Sequence, residues 1–225
     1  MSTPGTRLDG KSFVAQLKAE NERYLAKLGE PPSIEVQGTS AASLAALLKM
    51  ALKNEMEAAE IAAEWVATTP ELEVKLALAR HAGDEARHYQ LLEERVRALG
   101  VPIADFDPLV PPSPVLTYLR GLATSVERVA AALVAREDMG GRRNAQFLKF
   151  LESLGQGEIA RLYRETINPD EQRHHLVGCE ILARLAVTPE AQQAARRAAQ
   201  RLLEIGDQVR TTTMEKTGVP VVPGC

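Results

Sequence analysis

Two Glu-x-x-His motifs occur in this chain of 225 residues, one formed by Glu85 and His88 and the other by Glu171 and His174. Residues three positions apart lie on the same face of an α-helix, so the carboxylate and the imidazole of each motif can point at one ion. Such a mixture of oxygen and nitrogen ligands suits iron or manganese, and zinc is less favoured for a carboxylate-rich site. The two motifs therefore predict a metal site.

Glu55 and Glu137 are the glutamates that could complete this site, because each interrupts the apolar stripe of a predicted helix. Glu57 instead falls on the opposite face, which we expect to be solvated, and it is not expected to be a ligand. A carboxylate on an apolar stripe is costly unless it is paired, hydrogen-bonded or bound to a metal. Two divalent cations would balance four such carboxylates. The predicted ligands of a two-metal centre are Glu55, Glu85, His88, Glu137, Glu171 and His174.

The sequence also repeats itself around these residues. NEMEAAEIAAEW, from Asn54, aligns with REDMGGRRNAQF, from Arg136, and DEARH, from Asp84, aligns with DEQRH, from Asp170. The spacing between the two aligned segments is four residues longer in the second half, a difference that we assign to the turn between the helices. We infer two pseudo-symmetric halves.

Apolar periodicity and proline or glycine punctuation predict the helices that carry these residues. The predicted helices span residues 9–29, 40–68, 71–99, 115–154, 157–187 and 189–216. The proline-rich segment from Gly100 to Pro114 predicts a long crossover between two helix pairs. The predicted fold is all-α: a four-helix bundle at 40–187, an N-terminal helical extension at 1–39, and a C-terminal helix and tail at 188–225. The last helix is expected to pack on the bundle or on a second subunit.

Composition and charge argue against several functional classes. The net charge is only −3 and the two signs are interspersed, so nothing indicates a nucleic-acid or membrane-surface partner. No stretch approaches the roughly 18 apolar residues that a transmembrane helix needs, and the N-terminus lacks the apolar core of a signal peptide. Cys179 and Cys225 form neither a disulfide framework nor a Cys-x-x-Cys pair. We expect a cytoplasmic protein.

The six-ligand pattern resembles that of the ferritin-like di-iron superfamily over about residues 40–187. DEARH and DEQRH are similar to the Asp-Glu-x-Arg-His signature of bacterial multicomponent monooxygenase hydroxylases. The resemblance implies a ferritin-like bundle that binds two iron ions, with manganese or a mixed pair as alternatives. It also implies that Asp84 and Asp170 accept hydrogen bonds from the ligand imidazoles and that Arg87 and Arg173 neutralise these aspartates. Exposed arginines with local ion pairs are the alternative for Arg87 and Arg173.

Two departures from better-known members narrow the resemblance. The ribonucleotide reductase radical subunit has a Tyr four residues after the first ligand His, whereas this chain has Leu92 there and Gly178 in the second half. The paired Cys-x-x-Cys motifs of a rubredoxin-type module, usual in rubrerythrins, are absent from the sequence. We therefore expect no stored tyrosyl radical at this position, and we expect an external electron donor.

His81 breaks the symmetry of the two halves, because it lies one turn before Glu85 while its counterpart is Ile167. We interpret it as a hydrogen-bonded core residue, and an additional ligand or a proton relay are the alternatives. Glycines break the symmetry as well. The positions beside Asn144 that lack side chains predict either a substrate pocket or close helix packing: Gly140, Gly141 and Gly178.

The functional hypothesis that follows is oxidation chemistry, because carboxylate-bridged iron pairs react with oxygen or peroxide. The leading hypothesis is an oxygen- or peroxide-dependent oxidoreductase or oxygenase that acts on a small organic substrate. The first alternative is a ferroxidase or iron-storage protein, for which iron itself is the substrate. The second is a metal-free helical scaffold. A homodimer is one arrangement that the last helix leaves open.

Overall fold

The computed structural model describes residues 8–28, 41–219 and 222–224. Within these ranges the chain forms seven helices and no strand, which confirms the all-α prediction. The helices are α1 (Gly10–Lys27), α2 (Ala41–Thr68), α3 (Leu72–Ala98), α4 (Pro114–Arg120), α5 (125–153), α6 (157–185) and α7 (Pro189–Thr217). The predicted end of the first helix and the predicted start of the second lie outside the described residues. None of the described helices is long and apolar enough to cross a membrane.

Helices α5 and α6 are continuous, but each contains a π-helical segment. In α5 the segment Val129–Arg136 ends immediately before Glu137, and in α6 the segment Tyr163–Ile167 ends shortly before Pro169 and Glu171. Pro169 has no N–H to donate, and a π-turn just before it lets the helix continue instead of ending. A π-turn also inserts an additional residue and is frequent at functional sites.

The two long helix pairs, α2 with α3 and α5 with α6, are each joined by a turn of three residues, 69–71 and 154–156. Our assignment of the four additional residues of the second half to this turn is therefore wrong. Helix α5 continues three residues further beyond Glu137 than α2 does beyond Glu55, and Glu171 lies one residue further into α6 than Glu85 lies into α3. The difference is built into the helices, where the π-turn of α6 accommodates an additional residue.

The helix predicted at 115–154 is two helices, because α4 ends at Arg120 and α5 begins at Ser125. Thr124 and Glu127 form a capping box at the start of α5: the Thr124 hydroxyl accepts from the Glu127 N–H, and the Glu127 carboxylate accepts from the Thr124 N–H. This reciprocal pair satisfies backbone donors that a continuous helix would not leave open. The chain thus turns between α4 and α5.

The crossover between α3 and α4 is anchored to α2 by two side chains. The carboxylate of Glu57 accepts hydrogen bonds from the Ser113 N–H at 2.8 Å and the Ser113 hydroxyl at 2.5 Å. The Lys53 ammonium donates to the carbonyls of Pro108 and Pro111 at 2.8 and 2.7 Å. Glu57 is only 4% exposed, so the prediction of a solvated face is wrong there: the crossover covers it.

Helices α1 and α7 pack on the second half of the bundle. Helix α7 lies along the π-helical segment of α5, and α1 contacts α6 and α7. Phe13 of α1, Leu133 of α5 and Leu202 of α7 belong to one hydrophobic core. Of the two alternatives for the last helix, packing on the bundle is the one observed.

We predict that Glu57→Ala destabilises the fold by about 1–3 kcal/mol, because it leaves the partly buried Ser113 N–H and hydroxyl without their acceptor. Chemical denaturation of wild type and variant measures this change. Glu60→Ala is the matched control, since Glu60 lies on the same helix but is substantially exposed. Glu57→Ala should bind as much metal as wild type. An unfolding midpoint equal to that of Glu60→Ala would contradict the anchoring role.

Candidate metal centre

Two groups of buried side chains with metal-ligating atoms meet between α2, α3, α5 and α6. The first group contains Glu55, Glu85, His88 and Glu171, and the second contains His81, Glu85, Glu137 and His174. In each group the ligating atoms lie within 4.8 Å of one another. All seven side chains are buried. The structure therefore brings all six predicted ligands together, adds His81, and places the two groups side by side because Glu85 belongs to both.

Helix geometry explains how the residues meet. His81, Glu85 and His88 of α3 are spaced by four and three positions, so they form one stripe along the same face of this helix. Helix α6 contributes Glu171 and His174 with the same spacing of three. Helices α2 and α5 complete the groups with one glutamate each. His81 was interpreted as a hydrogen-bonded core residue, and its position one turn before Glu85 is the sequence signal that places it on this face.

The distances within the first group suit a shared ion better than direct hydrogen bonds. The Nδ1 atom of His88 lies 3.4 Å from an oxygen of Glu55, 3.6 Å from one of Glu85 and 3.7 Å from one of Glu171. These separations are long for hydrogen bonds. Atoms bound at about 2.1 Å to one ion lie roughly 3 Å or more apart. Small adjustments would let these four side chains surround a cation.

The second group is richer in nitrogen. The Nε2 atom of His81 lies 3.3 Å from Glu85 Oε1 and 3.9 Å from Glu137 Oε1. The Nδ1 atom of His174 lies 3.3 Å from the same Glu85 oxygen. The rings of His81 and His174 are stacked with centroids 4.3 Å apart. Two imidazoles and two carboxylates thus face this position, against one imidazole and three carboxylates in the first group.

The polar atoms in these groups test whether metal ions fit. Among the described residues, both oxygens of Glu55 and of Glu171, one oxygen of Glu137, and the Nδ1 atoms of His88 and His174 have no hydrogen-bond partner. An unsatisfied buried polar group costs about 1–3 kcal/mol, and several converge here. Two divalent cations would satisfy these atoms and balance the four carboxylates. The residues present therefore fit a pair of metal ions.

Each histidine of the two Glu-x-x-His motifs has an aspartate of the other half at its outer nitrogen. The Nε2 atom of His88 lies 3.1 Å from Asp170 Oδ2, and the Nε2 atom of His174 lies 3.0 Å from Asp84 Oδ2. In the neutral imidazole, a proton on Nε2 makes these contacts hydrogen bonds and leaves the Nδ1 lone pair facing the cluster. The aspartates thus select the tautomer that can bind a cation.

The two arginines of the repeated motifs, Arg87 and Arg173, differ in their distances from Asp84 and Asp170. Arg173 reaches both, with Nη2 at 3.2 Å from Asp84 and 2.9 Å from Asp170. Arg87 is largely exposed and lies 3.7 Å from Asp170. Burial raises the pKa of Asp84, but its contacts with His174 and Arg173 outweigh burial and hold the pKa below its usual value. Asp84 therefore stays ionised.

Without metal, the four carboxylates of the centre differ in the direction in which their pKa values are shifted. Burial raises the pKa of Glu55 and Glu137 well above the usual range, and burial together with repulsion from Glu85 raises that of Glu171. Burial would raise the pKa of Glu85 as well, but contacts with His174 and His88 hold it well below the usual value. The shared carboxylate is thus the ionised one.

The histidines are divided in the same way. Burial lowers the pKa of His88, but the contacts with Glu55 and Glu85 outweigh it and raise the pKa to about 12. The pKa of His174 is also raised, because contacts with Glu85 and other carboxylates outweigh its burial. For His81 burial dominates and lowers the pKa to about 3. His81 is therefore neutral, with one ring nitrogen free to ligate.

The glycines expected to border a pocket lie against other backbone instead. A Cβ on Gly178 would lie 2.5 Å from the Cβ and 2.6 Å from the carbonyl oxygen of Leu133, so α5 fills this space. Gly140 contacts Gly224, whose N–H donates to Asn144 Oδ1 at 2.9 Å. Gly141 is exposed. Close helix packing is observed at Gly178, whereas at Gly140 the space is filled by the non-helical segment 222–224.

A cavity of about 40 Å³ lies elsewhere, between α3 and α6. It is lined by Ala77, Arg80, His81, Leu133, Arg173, His174 and Val177, and so reaches two residues of the second group. Arg80 belongs to no motif, and no pattern in the sequence indicates a cavity at this position.

No protein-family model matches this chain, and neither a curated protein nor a solved structure shows significant similarity to it. The side chains of the centre are therefore the evidence for function.

We predict that metal binding releases protons and weakens as the pH falls. Glu55, Glu137 and Glu171 have raised pKa values without metal, so they hold protons that a cation must displace. Calorimetric titration with Zn(II) in buffers of different ionisation enthalpy should show about one proton or more released per ion. Glu57→Gln should release as many protons as wild type. An affinity independent of pH would contradict the prediction.

Proposed function

We propose that the two carboxylate–histidine groups hold a pair of divalent metal ions, and that the protein is a di-metal oxidoreductase that uses oxygen or peroxide. The observation that carries this proposal is the membership of Glu85 in both groups. One buried, ionised carboxylate with an oxygen facing each of two adjacent positions could hold both ions. Iron is the metal we propose, with manganese or a mixed pair as alternatives, because all the donors are carboxylate oxygens and imidazole nitrogens.

The helical context supports a ferritin-like arrangement. Two helix pairs separated by a long crossover supply one glutamate from α2, one from α5, and a Glu-x-x-His motif from each of α3 and α6. Glu-x-x-His motifs and hydrogen-bonded aspartates, Asp84 and Asp170, are also what the resemblance to the di-iron superfamily implies. The departure from the six-ligand pattern is His81, which we propose as a seventh ligand.

A bound metal pair would supply redox chemistry toward oxygen or peroxide. The protein residues would supply the rest. Glu85 and the other glutamates bind and orient the ions, and Asp84 and Asp170 hold the proton on the outer nitrogen of His174 and His88. The apolar packing around the groups excludes bulk water. An external electron donor is part of the proposal, because the sequence has no Cys-x-x-Cys motif.

A ferroxidase, for which iron is the substrate, is the second candidate function. The size of the cavity beside His81 and His174 favours it over oxidation of an organic compound within the bundle. About 40 Å³ accommodates only a few water-sized molecules, because one water needs roughly 10–15 Å³ of such space. Dioxygen, peroxide or an ion that has shed most of its water fits this space, whereas an aromatic substrate does not.

We predict that the protein expressed with iron binds close to two ions per chain, and that Glu85→Gln loses both, because this residue serves both positions. His88→Ala and His174→Ala should each lose about one ion, since each imidazole faces a single position. Metal analysis after gel filtration measures the content, and circular dichroism checks the fold. Glu57→Gln is the control that should retain both ions. Less than half an ion per chain in wild type, unchanged in Glu85→Gln, would refute the metal centre.

Anaerobic loading with Fe(II) followed by oxygen distinguishes the two candidate functions. A ferroxidase should oxidise many equivalents of added Fe(II) per chain and deposit iron in a large hollow assembly that light scattering detects. An oxidoreductase should oxidise about the two bound equivalents, stop, and resume only with an added reductant. Wild type that consumes no oxygen in either format, although it holds iron, would refute both.

A further inference from the structure

Segment 222–224 fills a groove between α2 and α5 beside the metal centre. Asn54 of α2 directly precedes Glu55, and Gly140 and Asn144 of α5 lie one and two turns beyond the glutamate that this helix contributes to the centre. The segment contacts Asn54, Gly140 and Asn144, and we call the space that these three residues border the 222–224 groove. All residues of the segment are buried, although none belongs to a helix.

One peptide group of the segment is held from both sides by asparagine side chains. The Pro223 carbonyl accepts a hydrogen bond from Asn54 Nδ2 at 3.3 Å, and the Gly224 N–H donates to Asn144 Oδ1 at 2.9 Å. The carbonyl and the N–H of a trans peptide group point in opposite directions, so this group spans the groove from α2 to α5. The two helices thus bind the one acceptor and the one donor of a secondary amide.

The position that follows this peptide group admits no side chain. A Cβ on Gly224 would lie 2.3 Å from the carbonyl oxygen and 2.7 Å from the Cα of Gly140. These are backbone atoms of a packed helix, and they cannot move aside as the end of a flexible side chain would. The groove therefore fits an amide whose nitrogen carries an unbranched CH₂ group, which is the N-acylglycine unit.

The segment leaves part of the hydrogen-bonding capacity of the groove unused. Asn144 is fully buried, and its Nδ2 has no hydrogen-bond partner among the described residues. An unsatisfied buried donor is costly, and a ligand with an acceptor near this atom would remove that cost. A segment without helical hydrogen bonds also opens more readily than the helices around it. A ligand of the right chemistry can therefore compete with segment 222–224.

We propose that the 222–224 groove binds small molecules that contain an N-acylglycine unit, and that segment 222–224 occupies it as an internal ligand which such molecules displace. Asn54 would donate to the acyl carbonyl, and Asn144 would accept from the amide N–H, as they do with the segment. This site goes beyond the proposed metal chemistry and does not depend on it, because neither asparagine belongs to the two ligand groups.

Side-chain NMR of asparagine tests the proposal, because the chain has only four asparagines. Asn54 and Asn144 report on the groove, whereas Asn21 of α1 and Asn168 of α6 serve as references. The full chain is expressed with isotope-labelled asparagine in zinc-supplemented medium, so that any bound metal is diamagnetic. Single Asn→Asp variants assign the signals.

Gly224→Ala is the variant that empties the groove, because the added methyl group would collide with the backbone of α5. We expect it to shift the side-chain signals of Asn54 and Asn144 and to leave both references in place. Gly157→Ala is the matched control, since it adds the same methyl group at an exposed position with open space around it, and it should shift none of the signals. Val222→Asp is a second release variant, because a buried carboxylate without a partner is costly. It should shift the same two signals, and circular dichroism checks the fold of every variant.

The probe is acetyl-Val-Pro-Gly-amide, which reproduces the segment. In Gly224→Ala it should return the signals of Asn54 and Asn144 to their wild-type positions, with a midpoint in the millimolar range. In equilibrium dialysis, wild type should bind the probe at least about tenfold more weakly than Gly224→Ala does, because its own tethered segment competes at a high effective concentration.

Two analogues of the probe test what the groove recognises. Acetyl-Val-Pro-Ala-amide carries the methyl group for which the groove has no space, and an ester analogue has oxygen in place of the glycine N–H. Each should bind to Gly224→Ala at least about fivefold more weakly than the glycine amide, the factor that corresponds to one lost hydrogen bond. Adding Asn144→Ala to Gly224→Ala should abolish the preference for the amide over the ester.

Several results would overturn the groove as a binding site. They are unchanged Asn54 and Asn144 signals in both release variants, no saturable response of Gly224→Ala to the probe, and equal affinities for the probe and its analogues. Equal binding of the probe by wild type and Gly224→Ala would overturn the role of the segment as an internal ligand. None of these readouts depends on bound metal, so failure of the metal centre leaves this site standing, and failure of this site leaves the metal centre standing.

Discussion

Four glutamate carboxylates buried at one place between helices are the constraint on which this structure depends. Burial and mutual repulsion favour their neutral forms, yet Glu85 stays ionised through its contacts with His88 and His174. Such a cluster is tolerated only where rigid elements prevent the side chains from separating. Long helices provide this rigidity, together with two hydrophobic cores, one on each side of the cluster. The crossover, α1, α7 and residues 222–224 cover the bundle, so the polar centre remains enclosed by apolar packing.

The central helices could be predicted from sequence, and so could the convergence of the four glutamates and two histidines. Both follow from the periodicity of the α-helix. An α-helix repeats every 3.6 residues, so a carboxylate on an apolar stripe faces the core wherever that helix packs. Glu55 and Glu137 face the core, as their apolar stripes predict, because their helices are long. The prediction is wrong for Glu57, whose face is covered by the crossover. Helix periodicity describes one helix and contains no information about a distant loop.

The irregular features were less predictable, for a related reason. The π-helical segment Val129–Arg136 consists mostly of Ala and Val, and neither residue type distinguishes a π-turn from an α-turn. Pro169, which has no backbone N–H to donate, is a local sequence signal for the irregularity in α6. The glycines were ambiguous because a missing side chain creates space only if no backbone fills it. At Gly178 the backbone of Leu133 fills the space that the missing side chain leaves. This contact depends on how two helices pack, and a short-range sequence pattern does not determine that packing.

The exchange of aspartates between the two halves has a consequence for how such a chain can vary. Each helix pair carries a histidine whose acceptor, Asp84 or Asp170, belongs to the other pair, so neither pair is complete alone. Two identical helix pairs related by a two-fold axis would complete each other in the same way. In two identical copies, however, every substitution appears in both. In a single chain that joins the two pairs through the crossover, each half can be substituted on its own. His81 can therefore occur in one half while the π-helical segments occur in the other.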